Sequence, residues 1–166
     1  MSLREARRRR LLTAMQAADI AAIVLYGNAW QGDYLLYGCD LGILEGHGVV
    51  IVSADGTLDL FLDSATEAER AQVEAADAHV EFAPDIAGSV AARLAPMGNR
   101  RVLAAPRRFL PNGLVNEGLA LEDGTALLDG LLMHKLPAEI AAIRRAAHMA
   151  DDAYAAFRAA VRPRRA

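Results

Sequence analysis

The chain has 166 residues, 54% of them hydrophobic and 23% charged, with a net charge of −3. That suits one globular domain and excludes a disordered chain, and the acidic balance excludes the basic surface of a nucleic-acid binder. No apolar run is long enough to span a bilayer, no apolar segment follows the N-terminal arginines as a signal peptide requires, and the lone Cys39 has no internal disulfide partner. A cytoplasmic location without membrane attachment is the resulting expectation.

Ser2 and Glu5 form a capping-box pattern that opens a helix to about residue 18. Arg7, Arg8, Arg9 and Arg10 lie on it. Four consecutive residues point all round a helix, so they read either as an arginine-rich surface with snorkelling stems or as an anion or partner contact. Residues 21–26 are continuously apolar, as in a strand covered on both faces. Residues 27–48 break the pattern, with Trp30, Tyr34 and Tyr37 set among glycines and acids. They read as a long irregular stretch with at most one helical turn, and long loops in compact domains often carry function. Residues 49–52 and 58–62 are strands joined by the hairpin signal Ser53-Ala54-Asp55-Gly56.

Ser64 and Glu67 repeat the capping box and open a helix to about residue 76. Residues 79–82 form a short strand. Asp85 caps a helix whose Ile86, Val90 and Leu94 share one stripe, and Pro96 and Gly98 end it. Residues 101–105 read as a strand, 110–118 as a helix weakened by Gly113 and Gly118, and 119–122 as a last short strand. Asp123-Gly124-Thr125 turns the chain into a helix running to His134. Pro137 then suits the first position of a final helix. In it Ile140, Ile143, Ala147, Ala150, Tyr154, Phe157 and Val161 recur at alternating spacings of three and four, a seam that wants a partner. The alternation of strands and helices after an initial hairpin predicts a mixed α/β sheet with helices on its faces.

The chemistry-bearing motifs are missing. There is no phosphate-binding P-loop, and Gly42, Gly46 and Gly48 precede a strand, whereas a dinucleotide fingerprint follows one. His47, His79, His134 and His148 are scattered, and Asp151 and Asp152 diverge on a helix, so no metal site is expected. Cys39 reads as a small core or loop residue, with a nucleophile as the alternative. Glu45 and His47 form the one close acid/base pair, either a proton-transfer couple or a loop hydrogen bond. Trp30, Tyr34 and Tyr37 either wall a ligand site or anchor their loop to the core.

The stretch Met133-His134-Lys135-Leu136-Pro137-Ala138-Glu139-Ile140-Ala141-Ala142-Ile143-Arg144-Arg145-Ala146 resembles the signature with which the creatinase/prolidase/aminopeptidase P ("pita-bread") metallohydrolases leave their N-terminal domain. Lys135, Glu139, Ile140, Ile143, Arg144 and Ala146 match that pattern. The opening helix with Leu11-Leu12, the strand from Ile20 to Leu25, and Tyr34-Leu35-Leu36-Tyr37-Gly38 resemble further family segments, so the likeness covers nearly the whole chain but only the family's first domain. Leu132 stands where the pattern has Arg. Leu136 stands where it has a helix-capping Ser, a loss of about 1 kcal/mol.

The resemblance implies a three-layer α/β/α fold with a mixed, ribonuclease H-like sheet over residues 1–134, and a linking helix over 135–166 leading toward a C-terminal catalytic domain of the same protein. It implies no cofactor in this chain. The two divalent metal ions of the family's metal enzymes are held by two Asp, a His and two Glu in that further domain, which would begin near the 162–166 tail. It also implies a homodimer in which the N-terminal domain covers the partner's active site. The substrate- or partner-facing candidates are then Trp30, Tyr34, Tyr37, Asp40 and His47, and the dimer-contact candidates Tyr154, Phe157 and Val161. The expectation is a chain inactive by itself, drawn from a Xaa-Pro peptidase or creatinase-like hydrolase. The alternative is a free-standing ligand-binding or interaction module of the same fold, and an enzyme working through Glu45 and His47 is a third reading.

Overall fold

The computed structural model describes residues 2–116 and 118–161. Glu117, within the predicted 110–118 helix, and the 162–166 tail, near which the resemblance starts a catalytic domain, lie outside the described residues. The chain divides into two compact units, Met1–Met133 and His134–Ala166.

The first unit runs α1 (Leu3–Ala17), β1 (Ala22–Asn28), α2 (Asp33–Cys39), β2 (His47–Ser53), β3 (Leu58–Leu62), α3 (Ala65–Glu74), β4 (His79–Phe82), α4 (Ile86–Leu94), β5 (Val102–Ala105), α5 (Asn112–Asn116), β6 (Leu121–Asp123) and α6 (Thr125–Met133). Six strands form one sheet in the order β4-β3-β2-β1-β5-β6. β2 runs antiparallel to both β1 and β3, while β1 pairs parallel with β5, β5 with β6, and β3 with β4. Five strands therefore share one direction and β2 alone opposes them.

Alternation along the strands builds two cores. Ile23 and Leu25, Val50 and Val52, Leu60 and Leu62, and Leu103 face one side, with Leu11, Leu35, Ala71 and Leu128 from the helices above them. Val24 and Tyr26, Val49 and Ile51, Phe61, and Val102 and Ala104 face the other, covered by Ile86, Val90, Leu94 and Leu114. The architecture is thus a three-layer α/β/α with a mixed sheet. The central strands are apolar on both faces because both faces are covered.

Three helices start as their sequences specify. The Ser2 and Glu5 side chains each bond the other's backbone N–H, completing a capping box. The Ser64 and Asp85 side chains accept from Glu67 N and Gly88 N. α4 is also tied to the sheet by Arg93, which pairs with the buried Asp59 of β3 and lies 5.8 Å from the Phe61 ring centre. Burying a carboxylate is costly unless it is paired, and the guanidinium supplies the pair.

The irregular stretch expected over residues 27–48 is shorter than its composition suggested. β1 runs on to Asn28, β2 begins at His47, and a two-turn helix occupies Asp33–Cys39. Gly38 is inside that helix despite its low propensity because α2 is pressed on the sheet: a Cβ there would lie 2.6 Å from Leu25 Cδ1 and 3.1 Å from Val50 Cγ1. The same contact makes Gly27 necessary in β1, since a Cβ would meet Leu35 Cβ at 2.7 Å.

The second unit is α7 (Pro137–Ala160), a 24-residue helix. Nearly half of it is alanine, the strongest helix former. The Leu136 side chain at its cap has no atom that can accept from the first turn, so only the Glu139 half of a capping box exists, with Leu136 N donating to Glu139 Oε2 at 2.7 Å. Ile140, Ile143, Tyr154, Phe157 and Val161 along the seam are 40% to 64% exposed.

Leu35 Cβ is fixed to backbone and cannot rotate away as a side-chain tip would. Gly27→Ala should therefore cost about 1–3 kcal/mol of unfolding free energy, read as a lower urea midpoint. Gly42→Ala, where an added Cβ meets nothing within 4 Å, should leave that midpoint within about 0.5 kcal/mol of wild type.

Candidate functional site

The carboxyl ends of β1 and β3 and the start of β2 lie side by side in the sheet, and a chain of polar contacts runs across them. Asn28, the last residue of β1, pairs in register with His47, the first of β2. Its side-chain oxygen accepts from Trp30 N at 2.9 Å and Gln31 N at 2.8 Å, which folds the turn after β1. Its amide nitrogen donates to the Tyr26 hydroxyl at 3.1 Å, and that hydroxyl lies 2.5 Å from His47 Nδ1. The phenolic oxygen accepts from Asn28 and either donates its proton to His47 Nδ1 or accepts from it, according to the tautomer of the ring. The Tyr26 and His47 rings stack with centroids 5.7 Å apart.

His47 N donates to Asp63 Oδ1 at 2.7 Å, just after β3, and the neighbouring Ser64 hydroxyl donates to Glu45 Oε1 at 2.5 Å. Gly46 between them has φ 68°, and a Cβ there would lie on the Asp63 carboxylate. On the same loop, Arg70 donates to the Gly42 carbonyl at 2.5 Å while pairing with Glu67 and Glu74. The loop before β2 is thus held from both ends.

The five candidates of the 27–48 stretch go to different places. Trp30 projects from the turn after β1, 94% exposed. His47 is exposed and joined to that turn through Tyr26 and Asn28, so these two belong to one surface. Tyr34, in the first turn of α2, donates its hydroxyl to Asp129 of α6 at 2.6 Å. Tyr37 is buried in the core on the α1/α2 side of the sheet, as Leu35 of the same helix is, and it presents no surface to a ligand. Asp40 takes a left-handed conformation at the end of α2, φ 59°. Its carboxylate pairs with Arg4 at 3.6 Å and Arg7 at 3.2 Å of α1.

The arginine run is therefore a docking device. Arg4 and Arg8 pair with Asp77 at 3.0 and 2.6 Å, and Arg10 donates to the Leu131 carbonyl at 3.2 Å. Partly exposed pairs are worth about 0–1 kcal/mol each, against about 1.5–3 kcal/mol for each of the fully buried Leu11 and Met15. The apolar pair holds α1 down and the arginines fix its orientation.

Cys39 does not supply a ready thiolate. Cys39 is buried, and desolvation pushes its thiol up to about 12. Glu45 bonds Ser64 and His47 bonds Tyr26, so the acid and base of the Glu45/His47 pair are turned to separate partners. Among the described residues no three His, Cys, Asp or Glu side chains gather where they could hold a metal ion, and no helix is long and apolar enough to cross a membrane. The surface exposes an indole and an imidazole, groups able to stack on or hydrogen-bond a ligand. Tyr26, Asn28 and Asp63 escaped the sequence reading. Asn28 at the junction of an apolar strand and a Gly/Trp turn was the one available signal.

No family model and no curated protein matches the sequence. Solved structures do match its fold. A Xaa-Pro dipeptidase from Bacillus anthracis superposes on 96% of the chain with a TM-score of 0.69 and 22% identity, and the chain spans 44% of that protein. A creatinase/prolidase-like N-terminal domain from Corynebacterium diphtheriae superposes on 75% of the chain, covering 98% of that domain, with a TM-score of 0.58 and 17% identity. A proline dipeptidase structure from Streptococcus pneumoniae is covered completely, with a TM-score of 0.58 and 18% identity. The chain has the fold of the creatinase/prolidase-like N-terminal domain.

Two titrations check this electrostatic picture. Burial and then the hydrogen bond to Asp129 push the Tyr34 phenol up to about 12. A raised folded pKa means its contribution to stability is complete below about pH 10, the ordinary phenol value, and is lost as pH rises through about 12. Asp129→Asn should lower the Tyr34 transition in absorbance at 295 nm. Cys39 should resist a disulfide reagent at pH 8 in the native chain and react fully in denaturant. Fast native labelling would contradict its burial.

Proposed function

We propose that this chain is the non-catalytic N-terminal domain of a pita-bread-type hydrolase, a Xaa-Pro peptidase or creatinase-like enzyme, and that it serves dimer assembly and the covering of a partner's active site. The observation that carries the reading is the superposition of 96% of the chain on a Xaa-Pro dipeptidase, of which it spans 44%. In this reading residues 1–134 are the covering domain and 135–166 the helix that leads onward to the catalytic domain. That domain, and not this chain, supplies the divalent ions. The setting is cytoplasmic.

The covering surface is the end of the sheet that carries Trp30 and His47. The Asn28 side chain holds the backbone of the turn that carries the indole, so only the Trp30 side chain itself remains to be ordered when it walls an active site. His47 is the polar group of this surface that would meet a substrate. Tyr34 bonds Asp129 of α6 and Asp40 serves α1, so neither is assigned a substrate contact. Self-association falls to the exposed seam of α7 at Tyr154, Phe157 and Val161.

The purified 166-residue chain should turn over no Xaa-Pro dipeptide and no creatine-like compound with manganese, cobalt or zinc added. Metal-dependent turnover that persists through stringent purification would sink the assignment. In the longer protein this reading expects, Trp30→Ala should raise KM for peptide substrates several-fold with kcat within about twofold, the pattern of lost uniform binding. An unchanged KM would remove the covering role.

A further inference from the structure

A cleft of about 930 Å³ opens at the amino ends of β1 and β5, the end of the sheet away from Trp30 and His47. One wall is α1. Arg4, Arg8, Leu12 and Gln16 recur at four-residue spacing and so share a stripe, with Arg9 and Thr13 beside it. Leu11 and Met15, on the adjoining stripe, are sealed against the sheet. A second wall is the segment 99–101 that leads into β5, and Ile20, Ala21 and Ala54 add apolar lining. The volume is that of a small-molecule site, about 300–1,000 Å³.

The charges of the cleft are unequally answered. Asp77 takes Arg4 and Arg8. Arg101 gives Nε and Nη2 to Glu122 and Nη1 to the Ala18 carbonyl, and Asp19 faces its charge from the cleft. Glu5 stands four residues before Arg9, where an acid ordinarily pairs with a helical arginine. Its carboxylate instead accepts from Ser2 N at 2.7 Å and closes the capping box. Arg9 is thereby freed: among the described residues its guanidinium has no hydrogen bond and no ion pair. The Arg100 guanidinium has none either. Asp55 on the hairpin turn feels its charge, but that carboxylate bonds Thr57 N at 2.9 Å and forms no ion pair with it.

Arg8 adds to the imbalance. It reaches Asp77 through Nη2 at 2.6 Å, while its buried Nε has no hydrogen-bond partner. An unanswered buried donor favours negative charge nearby. Two uncommitted guanidinium forks on separate elements ask for a ligand with more than one negative charge and several acceptor oxygens. A phosphoryl group has both, whereas a carboxylate matches a single fork. Gln16 and Asp19 in the same lining suit hydroxyl groups.

We propose that this cleft binds a small phosphate monoester, its phosphoryl group held by Arg9 and Arg100 and its hydroxyl-bearing body meeting Gln16 and Asp19. The site lies at the opposite end of β1 from the covering surface. It is independent of the hydrolase reading, because its test reads binding and no turnover.

The 166-residue chain, titrated with ribose 5-phosphate at constant ionic strength, should show saturable shifts of the amide resonances at residues 8–16 and 99–101. Half-saturation should fall near about 1 mM, the strength that two exposed charge-assisted contacts supply. Inorganic phosphate should perturb the same residues and bind about tenfold more weakly, lacking the body. Arg9→Gln and Arg100→Gln should each weaken ribose 5-phosphate about tenfold. Both variants should keep the wild-type urea midpoint, since neither guanidinium holds an element of the fold. A response to acetate equal to that of phosphate would overturn the phosphoryl assignment. Unchanged binding in both variants would overturn the site, as would the absence of saturable shifts at these residues with about 20 mM of either phosphate, far above the expected half-saturation.

Discussion

β1 is apolar from Ala22 to Tyr26 on both of its faces, and every one of those side chains is nearly sealed from water. A strand of that kind cannot lie at an edge or face solvent on one side without exposing several large side chains at about 1.5–3 kcal/mol each. It must be central, and helices must cover it above and below. Its neighbours are an antiparallel strand on one side and a parallel strand on the other. The layer order, the position of α2 against Gly27 and Gly38, and the gathering of loops at the carboxyl ends of the strands all follow from that placement.

The polar groups then sort themselves by what the apolar frame leaves accessible. Asp40, Asp59 and Asp77 are each answered by arginine, and these pairs orient helices whose adhesion comes from Leu11, Met15, Val90 and Leu94. Tyr26 points to the side of the sheet opposite α2, and at the strand end its hydroxyl escapes the core just far enough to reach His47. A buried aromatic ring with its hydroxyl at the boundary is thereby used to fix an exposed imidazole and, through Asn28, an exposed tryptophan.

Much of the frame was legible in the sequence because it is local. β3 follows the hairpin signal and β4 covers the expected residues 79–82, and Ser64, Asp85 and Pro137 mark the helix starts that the structure has. α2 was obscured because Gly38 argues against a helix unless the sheet lies beneath it, which is a tertiary fact. Tyr37 reads locally as a loop aromatic for the same reason, and the helix turns it into the core. The polar chain through Tyr26, Asn28, His47 and Asp63 could not be read locally at all. It exists only once the Asn28–His47 register is set, since the residue two before Asn28 then lies diagonal to His47 on one face.

α7 illustrates the opposite case, in which local sequence says more than the first unit can use. Alanine makes the helix stable along its length, so packing is not needed to form it, and its apolar residues are free to be placed for a partner. Its large exposed residues are grouped toward the two ends, Ile140 and Ile143 at one and Tyr154 and Phe157 at the other, with Ala147 and Ala150 between them. The bulk of the seam therefore lies in two patches separated by a shallow middle, and a segment that covers it gains most of its buried area at those two patches.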